Sequence, residues 1–109
     1  MKDSMKQEEI LRHKNLIISL VNNAVMQTDG VSKEQYIKGK KSGFSPERNI
    51  QVYFYNDEVT IDLFISVIFG FRVPEVVCAI QEKVISLVKE NTKFKVKSVN
   101  VNVANVIFM

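Results

Sequence analysis

One cysteine, one histidine and no long apolar run set the first limits on this chain of 109 residues. Cys78 has no second cysteine to pair with, so an internal disulfide is impossible. Together with His13 it falls short of the three or four ligands that a metal site needs. The longest apolar stretch, "LFISVIFGF" at residues 63–71, is about half of the roughly 18 to 20 residues that a membrane-spanning helix requires. The opening "MKDSMKQEEILRHK" is charged throughout and lacks the apolar core of a signal peptide. The protein is therefore expected in the cytoplasm, without disulfide, structural metal or membrane span.

What is present is an ordinary globular balance: 46% apolar and 25% charged residues, as in a soluble domain with a core of its own. A chain of this length buries roughly 60 to 70% of its unfolded surface, enough for one core, so residues 1–109 are read as a single domain. The net charge of +3 is local. Lys33, Lys38, Lys40, Lys41 and Arg48 stand against only Glu34 and Glu47 in residues 33–48, and this accounts for the whole excess. With Gly39, Gly43 and Pro46 nearby, residues 30–49 read as a mobile basic loop.

The elements around that loop follow from periodicity. Residues 4–27 are expected to form a helix, with Ser4 as N-cap, Gln7 completing a capping box, and a stripe of Ile10, Leu11, Ile17, Ile18, Val21, Ala24 and Val25. Asp29 and Gly30 stop it. "NIQVYFY" and "EVTIDLFISVIF" read as two strands joined by a tight turn at Asn56 and Asp57. In the second strand Val59, Ile61, Leu63, Ile65, Val67 and Phe69 alternate onto one face, which is assigned to the core. Val73, Val76, Val77, Ile80, Val84, Leu87 and Val88 make a second helical stripe, with Pro74 in the first turn. "KFKVKSVNVNVANVIF" makes a last strand with Val99, Val101 and Val103 inward. The order α-β-β-α-β predicts a small α+β domain, a three-stranded sheet with helices packed on it. Whether the last strand lies beside the first or the second is left open by the pattern.

Such a sheet has more apolar surface than one core needs. Phe64 and Ile68 point away from the main stripe, accompanied by either Tyr53 and Tyr55 or Val52 and Phe54. A sheet with helices on one side should be polar on the other, so either the first helix covers this second face or another copy of the chain does. Tyr53, Tyr55, Phe64 and Ile68 are the candidate interface residues. The terminal "VIFM" favours a covering partner.

The residues that could do chemistry do not form a constellation. His13 has no nucleophile or carboxylate at a triad-like spacing and reads as a solvated or capping histidine. Cys78, between Val77 and Ala79, reads as a buried or half-buried inert thiol. Asp62, with Asp57 and Glu58 before it, reads as part of a solvated strand face rather than an acid–base pair. "GKKSG" at residues 39–43 lacks the strand-loop-helix setting of a phosphate loop. No catalytic, cofactor-binding or metal-binding residue is assigned, and the protein is expected not to be an enzyme. An RNA-binding module is the alternative reading, in which exposed aromatics stack on bases and the basic loop meets phosphates.

Residues 59–106, "VTIDLFISVIFGFRVPEVVCAIQEKVISLVKENTKFKVKSVNVNVANV", resemble the alkaline shock protein family, the envelope stress response proteins of Gram-positive bacteria and relatives. The resemblance rests on the strand closing on Gly70, "VPEV" at residues 73–76, "IQEKV" at 80–84 and "VNVNV" at 99–103. The helix ending "LVNNAVMQTDGV" at residues 20–31 joins them. It implies a small cytoplasmic, non-catalytic protein that self-associates. Such a protein is held at the inner face of the cell membrane through a membrane-anchored partner, or acts on a partner in fatty-acid synthesis.

Overall fold

The computed structural model describes residues 7–37 and 40–108, with side chains left aside at residues 7, 34–37 and 40–42. The first helix, α1, is described over Gln7–Met26; Ser4 and the capping box expected there lie outside the described residues. Ile17, Val21, Ala24 and Val25 return every three or four residues and are fully buried. Leu11, expected in the same stripe, is exposed. Ile10 is the residue in phase with Ile17 and Val21, and one step further round the helix carries Leu11 about 100° away. The helix closes with the Thr28 hydroxyl donating to the Ala24 carbonyl at 2.7 Å, and Gly30, at φ +92°, turns the chain back.

Residues 31–49 are not one loop, as expected, but four short elements. Strand β1 is Val31–Ser32, β2 is Glu34–Ile37, β3 is Lys40–Gly43 and helix α2 is Pro46–Asn49. β2 and β3 form an antiparallel ribbon of their own, with Glu34 opposite Gly43 and Ile37 opposite Lys40. The composition conceals this, because a two-stranded ribbon needs no apolar stripe when its ladder is made by backbone groups. The segment is anchored at its end. Asn49 is buried, its side-chain oxygen accepts from the Ser45 backbone N–H at 3.0 Å, and its amide donates to the Phe64 carbonyl at 3.2 Å.

The main sheet has four strands rather than three. β4, Ile50–Tyr55, and β5, Glu58–Ile68, form the expected hairpin, and Asn56 takes the left-handed φ of +55° that its tight turn requires. β1 continues the β4 side of β5, pairing Val31 with Val67 and Ser32 with Ser66. After α3, Val73–Asn91, the last strand β6, Lys95–Ile107, lies parallel to β5 on its other side. The open question of strand order is thereby settled: β5 is central, and β5-α3-β6 is a βαβ unit. The domain is α+β.

Both long helices lie on one face of this sheet. Val59, Ile61, Leu63, Ile65 and Val67 of β5 form one core with Ile17, Val21 and Val25 of α1 and Val76, Ile80, Val84 and Val88 of α3. Each of these side chains contributes roughly 1.5 to 3 kcal/mol when removed from water. Phe69 was assigned to the same stripe, but it is 62% exposed. β5 stops at Ile68 and Gly70 turns the chain at φ +103°, so the alternation that governs a strand no longer positions Phe69.

Candidate interaction surface

With α1 and α3 on the same side, the first of the two alternatives, a second face covered by α1, does not hold. Among the described residues no long helix lies on it. Strand register shows what this face presents. Tyr53 sits opposite Thr60 and Gln51 opposite Asp62 on the β4 side, while Ser98 pairs with Thr60, Asn100 with Asp62 and Asn102 with Phe64 on the β6 side. The open choice between two aromatic pairs is resolved in favour of Tyr53 and Tyr55. Val52 is buried in the core and Phe54 is half-buried against it.

The resulting surface carries the two tyrosines of β4 and, further along the sheet, Phe64 of β5, beside a row of amides. Tyr53 is 53% exposed, Tyr55 72% and Phe64 40%. Asn100 donates to the Asp62 carboxylate at 2.8 Å, and Asn102 donates to the Leu63 carbonyl at 3.3 Å. These bonds hold β6 side chains flat against β5 and leave the rings standing. Ile68 is on the same face but four residues, about 13 Å, beyond Phe64. It is half-buried beside its register partner Ile107, which is buried. The structure thus places all four on one face without clustering them: Tyr53 and Tyr55 lie opposite Thr60 and Glu58, four and six residues from Phe64 along β5, and Ile68 lies four residues from Phe64 in the other direction.

The expected basic patch is only partly placed. Lys33 is exposed, Lys40 and Lys41 take register positions on β3 opposite Ile37 and Tyr36, and Lys38 lies outside the described residues. The Arg48 guanidinium donates to the Gly43 carbonyl, closing the ribbon onto α2. Beside it the Glu47 carboxyl is held below the usual carboxylate range, chiefly by its own backbone N–H and then by the Ser45 hydroxyl, which donates to it at 3.0 Å.

Sequence reasoning missed a second apolar cluster at the end of the sheet. The rings of Phe69 and Phe108 stack with centroids 4.5 Å apart, and Phe71, 46% exposed, adjoins Gly30. Only the terminal "VIFM" hinted at it. Two expectations about reactive side chains are also corrected. Cys78 is exposed on α3 rather than buried or half-buried, because it lies on the helix face turned away from Val76, Ile80 and Val84. His13 is half-buried and edge-on to Phe94 at 5.1 Å rather than solvated or capping. Among the described residues no three His, Cys, Asp or Glu side chains cluster to hold a metal. A cleft of about 330 Å³ between the end of α1 and the start of α3 offers Asp29, Arg72, Glu75 and Lys83. Lys83 is engaged there, donating to the Gln27 carbonyl at 2.8 Å.

The family model of the alkaline shock protein 23 family, described as having a cell envelope-related function, matches residues 2–108. The chain belongs to that family. The match extends the resemblance read from residues 20–31 and 59–106 to nearly the whole alkaline shock protein-like chain. No curated protein sequence matches. In structure the chain is similar to a solved MamM CTD variant at a TM-score of 0.53, covering 86% of this chain and 96% of that one at 16% sequence identity. At that identity the likeness speaks to the fold. Among the described residues no helix is long and apolar enough to cross a membrane.

Proposed function

We propose that this family member is a non-enzymatic scaffold of the cell envelope: it self-associates through the open sheet face and docks on a membrane-anchored or lipid-metabolism partner from the cytoplasmic side. The observation that carries the reading is the placement of α1 and α3 on one face, which leaves Tyr53, Tyr55 and Phe64 exposed on the other. A one-sided sheet normally carries polar residues outward. Exposed tyrosine and phenylalanine on that face have the composition of an interface centre, where large rings exclude water at little cost in side-chain entropy.

The test is a Tyr53→Ser/Phe64→Ser variant compared with the wild type by sedimentation velocity, and by recovery from crosslinked native cells with and without nuclease. The expected result is an unchanged fold by circular dichroism, a smaller assembly and lost recovery of a membrane-anchored or fatty-acid synthesis protein. Unaltered sedimentation and recovery would sink the proposal. Recovery abolished by nuclease, and by exchange of Lys38, Lys40 and Lys41 for Gln, would replace it with RNA binding.

A further inference from the structure

The outer edge of β6 is the longest unpaired backbone of the described fold. β6 bonds to β5 along one side, and among the described residues no strand pairs with the other. Two register shifts interrupt the β5–β6 ladder and leave Lys97 and Ala104 as the extra residues of β6. Between them, residues 98–103 form a regular stretch with neither charge nor proline. Natural edges are usually blunted by lysine, proline or bulges. Here those devices stand at the ends of the stretch, and among the described residues its middle has no strand partner on the outer side, with the Val99 carbonyl engaged by the Gln81 side chain.

That middle is a palindrome. "VNVNV" at residues 99–103 reads the same in both directions about Val101. We propose that a second copy of this chain pairs with it, antiparallel and two-fold symmetric about Val101, so that two four-stranded sheets become one. A symmetric pair requires a surface complementary to itself, and this register provides it. Val101 meets Val101 and Val99 meets Val103 on the helix side, while Asn100 meets Asn102 on the open side. Lys97 falls opposite Asn105, so no like charges face each other across the strands.

The neighbouring helix agrees with this occupant. Gln81 donates to the Val99 carbonyl at 3.0 Å, which fixes one side of α3 beside the β6 stretch; a partner strand would share this carbonyl, which has a second lone pair, with Gln81. Ile85, one turn on from Gln81, is 45% exposed on that side. The partner copy would bring its own Ile85 stripe along the same edge. The contact joins copies side by side and is separate from any stacking through Tyr53 and Phe64. It adds to the self-association proposed above without depending on the open face.

Sedimentation equilibrium in the Tyr53→Ser/Phe64→Ser background separates the two ideas. A background assembly identical to the wild type removes the open-face reading alone, and a background that is monomeric at every concentration removes the edge alone. In a dimeric background, Asn100→Lys/Asn102→Lys sets like charges opposite each other twice and should raise the dissociation constant roughly ten- to thirtyfold. Asn100→Lys/Asn102→Glu sets opposite charges there twice and should restore pairing. Both positions are exposed, and matched thermal melts confirm that the variants fold. A dissociation constant unmoved by the two lysines, or no recovery with the lysine–glutamate combination, overturns the pairing and its register.

Discussion

Two glycines with nearly the same backbone angle allow conformational strain and close packing to be measured apart. Gly30 has φ +92° and Gly70 φ +103°, a region that costs a residue with a Cβ about 1 to 2 kcal/mol. Their surroundings differ. A Cβ on Gly30 would lie 2.8 Å from two ring atoms of Phe71 and 2.9 Å from a methyl of Val76, whereas one on Gly70 meets nothing within 4 Å. Val76 is buried in the core, so it cannot step aside, and overpacking of this kind costs about 1 to 3 kcal/mol more. Alanine also restricts the unfolded chain, which returns roughly 0.4 to 1 kcal/mol at either site. Gly70→Ala should therefore lose about 1 kcal/mol, and Gly30→Ala about 2 to 4 kcal/mol. Urea unfolding followed by far-UV circular dichroism reads the difference directly, and in thermal melts it corresponds to about 8 °C for a domain of this size. Equal losses at the two sites would refute the claim that Gly30 is required for the approach of Phe71 and Val76.

Val84→Asp should unfold the domain, since Val84 is fully buried between α3 and the sheet and an unpaired buried carboxylate costs several kcal/mol of the roughly 5 to 15 available; an unchanged melting curve would refute this. Glu47 should titrate below its usual value of 4.5, so any stability it lends is complete above the unfolded pKa and is lost as pH falls through the folded one. Ser45→Ala should move that titration back up, read by carboxyl chemical shift against pH, and an unmoved titration would refute the hydroxyl contact.

Periodicity was informative wherever one physical rule acted alone. The alternation of Val59, Ile61, Leu63, Ile65 and Val67 places them in the core because side chains in a strand change face at every residue. The stripe of Val76, Ile80, Val84 and Val88 does the same at helical spacing. The pattern failed where a second influence entered. Phe69 continues the alternation in sequence, but the Gly70 turn has already ended the strand. The β2–β3 ribbon has no apolar face to announce it. Of the candidate surface, Phe64 was legible as the residue out of step with its strand. The exposure of Tyr53 and Tyr55 depends on β4 register, and therefore on a pairing partner that sequence alone left ambiguous.

Placing both helices on one side divides β5 by parity. Its odd residues hold the core and its even residues, Thr60, Asp62 and Phe64, lie on the open face. A slip of one residue against β4 would exchange the two sets, turning Phe64 inward and Leu63 outward. The same turn chemistry at Asn56 that fixes the hairpin therefore also fixes which rings are offered to a partner. Because Tyr53, Tyr55 and Phe64 contribute little to the core, their substitution is separable from folding, whereas no substitution at Ile61 or Leu63 could be. The open face and the strand-free edge of β6 meet at Asn100 and Asn102, which belong to both. Joining two copies at that edge would place the amide rows of both chains between their two sets of aromatics, so that the open surface available to a partner grows with assembly.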